Sequence, residues 1–151
     1  MACYLLLIRL PVEESIRVGQ LGTFEFPAGF YIYVGRAKKN LASRIRRHVR
    51  KEKRLHWHID YFLTRSAVEG VWIVAGDDEC GVAHFLSSHF FLRAPVRGFG
   101  SSDCRCRSHF FLLEADPGWS WNELTKKLSV SEFRTIKGGC FATTGGTVQG
   151  S

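Results

Sequence analysis

Residues 29–35 read Gly-Phe-Tyr-Ile-Tyr-Val-Gly, and few short segments leave the backbone less choice. Two glycines bracket a run of aromatic and β-branched residues with no charge, a composition that favours a strand. Phe30, Ile32 and Val34 then share one face, and Tyr31 and Tyr33 share the other. The two phenol hydroxyls require partners, which the floor of a cleft would supply. Gly35 lets the chain turn there or lie close to a ligand.

A second strand precedes this one. Cys3 to Leu10 is apolar on both alternating faces until Arg9, as expected of a strand buried on both sides. Pro11 ends it, and Pro27-Ala28-Gly29 opens the next. Between them, Pro11-Val12-Glu13-Glu14 begins a polar connection with a short helical turn, and Val18 to Phe26 contributes a short extended piece. Asn40 is placed to cap a helix running to about Lys53, with Leu41, Ile45 and Val49 as its apolar stripe. His56 to Leu63 reads as a short helix with Trp57 and Tyr61 in i,i+4 register, and Ala67 to Ala75 as a third strand. Gly76-Asp77-Asp78 caps a helix from Glu79 to about Leu92, its inner line formed by Val82, Ala83, Leu86 and Phe90. Phe110 to Leu113 is a further strand, and Trp119 to Leu128 a short helix.

This order predicts an α/β domain over residues 1–130: a small central, mainly antiparallel sheet of three or more strands flanked by helices. A length of 151 residues suits one domain with a real core. Residues 131–151 read as a C-terminal extension. From Gly138 its Gly/Thr/Ser composition predicts a mobile tail.

Charge points to partners. The formal net charge is +7, and ten of the 21 Lys and Arg residues lie between Arg36 and Arg54, where Glu52 is the only acid. A polyanion is the natural counterpart, and a solvated helix face is the ordinary alternative. Arg44 and His48 sit four apart beside the apolar seam of the predicted helix. Arg46, Arg47, Arg50 and Lys51 fill its outer surface and, with Arg36, Lys38 and Lys39, form the expected nucleic-acid-binding set. No apolar run approaches the ~20 residues needed to cross a bilayer. The first residues lack the basic start of a signal peptide, so a cytoplasmic location is expected and no membrane partner. An odd count of five cysteines favours reduced thiols over a disulfide framework.

Several of these stretches together resemble a known family. A tyrosine in the first strand (Ala2-Cys3-Tyr4), a second strand ending Tyr33-Val34-Gly35, the helical pattern Leu41-x-x-Arg44-x-x-x-His48, and Glu79 at the start of the next long helix are similar to the GIY-YIG nuclease superfamily. The segments 29–35, His56-Trp57-His58-Ile59-Asp60-Tyr61 and Gly98-Phe99-Gly100-Ser101-Ser102-Asp103-Cys104 resemble one subgroup more closely, the domain of unknown function 123. The resemblance implies a metal-dependent DNA endonuclease, with branched or damaged DNA as substrate and a place in DNA repair. Under it Tyr4 or Tyr33 would deprotonate or orient the attacking water. Arg44 would hold the scissile phosphate, and His48 would stand near the nucleophile. Glu79 would bind Mg²⁺ or Mn²⁺ acting as a Lewis acid. The first motif lacks its glycine and isoleucine, and the usual asparagine has no clear counterpart near Ser101, Ser102 or Asp103.

Taken singly these residues have ordinary readings. Tyr4 suits a packed core aromatic, Arg44 a surface arginine, and Glu79 a carboxylate complementing a helix dipole. The runner-up function is therefore a non-catalytic nucleic-acid-binding module that kept the fold. A second constellation, Cys104-Arg105-Cys106 with His109, contains zinc-type donors without the usual paired C-x-x-C spacing. Zinc is not expected there. A polar loop lining the cleft is the preferred reading, with Arg105 and Arg107 adding phosphate contacts. A zinc- or thiol-based redox protein is the third reading. Trp57, flanked by His56 and His58, is read as a core tryptophan ahead of a base-stacking platform.

Overall fold

The computed structural model describes residues 2–75, 78–89, 92–101, 104–113, 132–137 and 140–141. β1 (Ala2–Leu10) runs through the middle of the sheet, and every residue from Cys3 to Ile8 is buried, as its two apolar faces require. The 29–35 segment lies within β4 (Gly29–Ala37), which pairs antiparallel with β1 from Ala2 opposite Ala37 to Leu10 opposite Gly29. β5 (Ala67–Ala75) pairs with the other edge of β1, with a bulge between Leu7 and Ile8. Beyond β4 come β7 (Phe110–Leu113) and β6 (Leu92–Arg93). Beyond β5 come β8 (Glu132–Lys137) and β9 (Cys140–Phe141). The sheet order is β6-β7-β4-β1-β5-β8-β9, every pairing antiparallel. β2 (Glu14–Arg17) and β3 (Thr23–Phe26) form a separate hairpin. The fold is thus the small α/β architecture expected from the order of elements.

The alternation of β1 divides the core in two. Tyr4, Leu6, Ile8, Tyr31, Tyr33 and Val71 face α1 (Leu41–Val49) and α2 (His58–Leu63), whose Ile45, Ile59 and Phe62 are fully buried against them. Cys3, Leu5, Leu7, Ile32, Val34 and Trp72 face the other way, where Ala83 and Leu86 of α3 (Glu79–His89) cover them.

Four local expectations change. The polar stretch after Pro11 leads into strand β2 rather than a helical turn. α1 begins as expected, with the Asn40 side chain accepting from the Ser43 amide at 3.0 Å, but stops at Val49, short of Lys53. Arg50 turns extended, and the Lys53 ammonium folds back onto the terminal carbonyls of Arg47 (3.0 Å) and His48 (2.7 Å). A cation there satisfies orphan carbonyls and complements the helix dipole. Tyr31 does not reach a cleft floor: its hydroxyl donates to the Pro27 carbonyl at 2.5 Å, and its ring stacks on Phe110. Part of the C-terminal extension joins the sheet as β8 and β9, so Cys140 and Phe141 pair with β8 in place of the mobile tail expected from Gly138. The expected helix over 119–128, the position of Phe90 and the tail from 142 onward lie outside the described residues, as do Gly76 and Asp77.

Candidate functional site

Tyr4 stands opposite Gly35 in the β1–β4 ladder and on the same face of the sheet. Its ring lies across that glycine so closely that a Cβ added to Gly35 would overlap Tyr4 Cζ and its hydroxyl oxygen. The close approach that Gly35 permits is therefore to a side chain of this protein. With its ring laid over the backbone, Tyr4 directs its hydroxyl at α1, where it meets His48 Nε2 at 2.7 Å. His48 is buried, wedged against Tyr4, Tyr33 and Trp57, and its Nδ1 has no hydrogen-bond partner among the described residues. Burial, aided by Lys53, Arg47 and Arg44 against an opposing Asp60, pushes its pKa down to about 3. The imidazole is neutral at physiological pH. Burial also holds the Tyr4 phenol well above its usual range, reinforced by Tyr33, and the neighbouring Arg44 offsets this only in part. Two neutral rings thus share one short hydrogen bond.

Arg44 is positioned by aromatic contact. Its guanidinium lies 4.6 Å from the Trp57 ring centroid, and that of Arg47 lies 4.3 Å from it. Arg47 is held from below by Asp60, with Nη1 to Oδ1 at 2.8 Å and Nη2 to Oδ2 at 3.0 Å. Asp60 also accepts the amides of His56 (2.9 Å) and Trp57 (2.8 Å), closing the start of α2. Burial alone would raise its pKa, but the Arg47 fork and the two amides outweigh it and keep the carboxylate ionised.

Tyr4, Arg44 and Trp57 line a cleft of about 440 Å³ together with Tyr33, Arg36, Lys38, His56, His58, Glu79 and Gly100. Glu79 reaches it although α3 packs on the opposite face of the sheet. β7 extends alongside β4 only as far as Phe110, opposite Tyr33, and a final bond joins Val34 N–H to the His109 carbonyl (2.8 Å). Among the described residues no strand pairs with that edge of β4 from Gly35 to Ala37, and Glu79 sits beside Arg36, 4.0 Å from its Nε. It is the one carboxylate among the described residues lining the cleft. Another wall is the loop carrying Gly100, whose φ of +71° suits glycine and whose amide donates to His58 Nδ1 at 2.9 Å. That bond leaves Nε2–H as the donor of neutral His58.

The expected site residues therefore divide. Tyr4, Tyr33, Arg44 and Glu79 meet in the cleft, joined by Arg36 and Lys38, and His48 supports Tyr4 from behind. Lys39, Arg46 and Arg50 line a second, adjoining cationic concavity along α1. Arg47 and Lys51 are not the free outer-surface cations expected. Arg47 is committed to Asp60, and the Lys51 ammonium donates to the Leu63 carbonyl at 3.1 Å and to that of Ser66. Arg105 and Arg107 are exposed and do not line the cleft. Trp57, His56 and His58 do line it; Trp57 is half-buried and also packs against the core, as expected of it.

The expected metal chemistry is overturned. Cys80, Cys104, Cys106 and His109 bring one ligand atom each to within 4.8 Å of one another. Three sulfurs and an imidazole nitrogen suit zinc, whereas Mg²⁺ and Mn²⁺ prefer oxygen. The grouping fits zinc better than the Mg²⁺ or Mn²⁺ expected at Glu79. Glu79 Oε2 instead lies 3.7 Å from His109 Nδ1, on the far side of the ring from the sulfurs. Cys80 carries no signal in the sequence because it lies 29 residues before His109, next to Glu79 but with no paired cysteine.

A family model, described as a domain of unknown function, DUF123, matches residues 3–130. The chain belongs to the DUF123 family. No curated protein and no solved structure matches it. The DUF123 match spans every cleft residue and all four zinc-type ligands. It stops short of β8, so the outer pairing on β5 lies beyond it. Among the described residues, no helix of this DUF123 chain is long and apolar enough to cross a membrane.

Proposed function

We propose that this DUF123 domain is a nuclease of the GIY-YIG kind that hydrolyses phosphodiester bonds in DNA. The observation that carries the reading is the convergence of Tyr4, Tyr33, Arg44 and Glu79, from four separate elements, on one cation-lined cleft.

The division of labour follows from the electrostatics. Arg44, steadied on Trp57, pairs with the scissile phosphate and stabilises the charge that builds on it. Arg36 and Lys38 hold flanking phosphates, and Trp57 and His58 offer stacking and donor groups to a displaced base. Tyr4 is neutral, so its role is to orient the attacking water; the hydrogen bond to His48 fixes the direction of its oxygen. The carboxylate of Glu79 takes the water's proton as the new P–O bond forms and the ester P–O bond breaks, and solvent protonates the departing oxygen. The fit of the motif order to the GIY-YIG pattern adds support.

The test incubates the purified protein with plasmid, branched DNA and RNA, with and without added divalent cations, beside Arg44→Ala and Glu79→Ala. Cleavage of DNA that both substitutions abolish is the expected result. Cleavage surviving both substitutions, or salt-sensitive binding by a well-folded protein that never cuts, would overturn the reading. The second outcome would leave a binding module.

A further inference from the structure

We propose that Cys80, Cys104, Cys106 and His109 hold one Zn²⁺ in a closed four-ligand site that staples the start of α3 to the loop carrying Gly100. The site would set one wall of the cleft, and it stands whether or not the cleft cleaves anything.

The first support is metric. With Zn–S near 2.3 Å and Zn–N near 2.05 Å, a tetrahedral site separates sulfur from nitrogen by about 3.6 Å and sulfurs by about 3.8 Å. The observed distances to His109 Nε2 are 3.7 Å from Cys80 Sγ and 3.6 Å from Cys104 Sγ. Cys104 Sγ also lies 3.7 Å from the Ser101 carbonyl, which offers its thiol proton another acceptor. Neutral imidazole has one acceptor lone pair, and two thiols approach the same nitrogen. A cation on that lone pair serves all the donors at once.

The second support is the surroundings of the histidine. His109 is fully buried, and Glu79 approaches its other nitrogen at 3.7 Å. That separation is longer than a hydrogen bond; drawn closer on metal binding, the carboxylate would fix the tautomer of the ligating histidine and raise its basicity, a recurrent arrangement at zinc. Glu79 would therefore face two ways, toward the metal's histidine and into the cleft.

The third is what the ligands join. Cys80 lies in the first turn of α3, which packs on one face of the sheet. Cys104, Cys106 and His109 belong to a loop tied to itself by Gly98 N–H to Arg107 O (2.7 Å), His109 N–H to Phe99 O (2.9 Å) and Cys104 N–H to Ser101 O (3.2 Å). That loop delivers Gly100 to Tyr33 and His58 on the other face. Metal binding would lock these parts together, with its binding free energy added to folding.

The experiment measures zinc by elemental analysis on full-length protein purified with reductant and without chelator, then replaces it with Co²⁺. One zinc per chain, an intense visible cobalt spectrum of tetrahedral type with thiolate charge transfer, and an X-ray absorption shell of three sulfurs and one nitrogen are expected. Chelator competition should show zinc bound roughly 10–100-fold more weakly in Glu79→Gln and far more weakly in Cys106→Ser. Stripping zinc should speed hydrogen exchange of the Gly100 amide. Substoichiometric zinc, an octahedral-type cobalt spectrum, a disulfide among these cysteines in the reduced preparation, or Gly100 exchange indifferent to zinc would each overturn the proposal. Should Cys106→Ser fail to fold, the absorption shell of the wild-type protein decides alone.

Discussion

Protonating His48 should cost the fold heavily, because the ring is buried among three cations and already bonded to a neutral phenol. Its folded pKa is about 3, against an ordinary value of 6.5 in the unfolded chain. Between those values the unfolded chain binds the extra proton, so this contribution to stability is complete above pH 6.5 and falls as pH drops toward 3. The slope is about 1.4 kcal/mol per pH unit, so at pH 4.5 the loss is roughly 3 kcal/mol. That is a large share of the ~5–15 kcal/mol typical of a domain. The comparison protein is His48→Gln, which keeps a hydrogen-bonding group toward Tyr4 and cannot titrate. Urea unfolding of both proteins from pH 8 to 4.5 cancels the carboxylates common to them. The stability difference should be flat above pH 7 and shift by roughly 3 kcal/mol in favour of the variant by pH 4.5. Parallel curves would refute the burial and cation environment assigned to His48.

Other perturbations test separate parts of the account. Gly35→Ala forces a Cβ into the Tyr4 ring and should cost about 1–3 kcal/mol by thermal or urea unfolding while displacing Tyr4 from the cleft; a neutral substitution would contradict the packing. Asp60→Asn leaves Arg47 without its ionic partner and should destabilise by roughly 3–5 kcal/mol, whereas a loss below about 1 kcal/mol would mean that solvent already screens the pair. Replacing Arg46 and Arg50 with Gln should leave stability unchanged and lower the slope of log binding constant against log salt by about 0.9 for each phosphate that no longer meets a cation. An unchanged slope would remove the α1 concavity from the binding surface.

The strands that build the site are legible in the sequence because each is a short run whose apolar periodicity admits one conformation. β5 and β7 have the limits that the pattern predicts, and β4 extends two residues past the run at 29–35. The end of α1 is not legible, because helix-compatible basic residues continue past Val49, the last of the apolar stripe, while the contact that closes the helix is Lys53 folding back. The same long-range effect separates Arg46 and Arg50 from Arg47 and Lys51. All are basic residues on or just after one helix, and only the position of Asp60 and the carbonyls at 63 and 66 decides which are committed. Zinc is hidden because three donors in one loop have no fourth nearby in the chain. Cys80 completes the set by folding back from α3, a proximity that spacing does not encode. Glu79 is recognisable from the motif order as a cleft residue, yet its second neighbour, His109, emerges only with the geometry.

The most direct measurement is a crystal structure of Glu79→Gln bound to a short DNA duplex. A backbone phosphate in the cleft, within hydrogen-bond distance of the Arg44 guanidinium and facing the Tyr4 and Tyr33 hydroxyls, is the predicted result. DNA lying along the outer surface of α1 with no phosphate near Arg44 would contradict it.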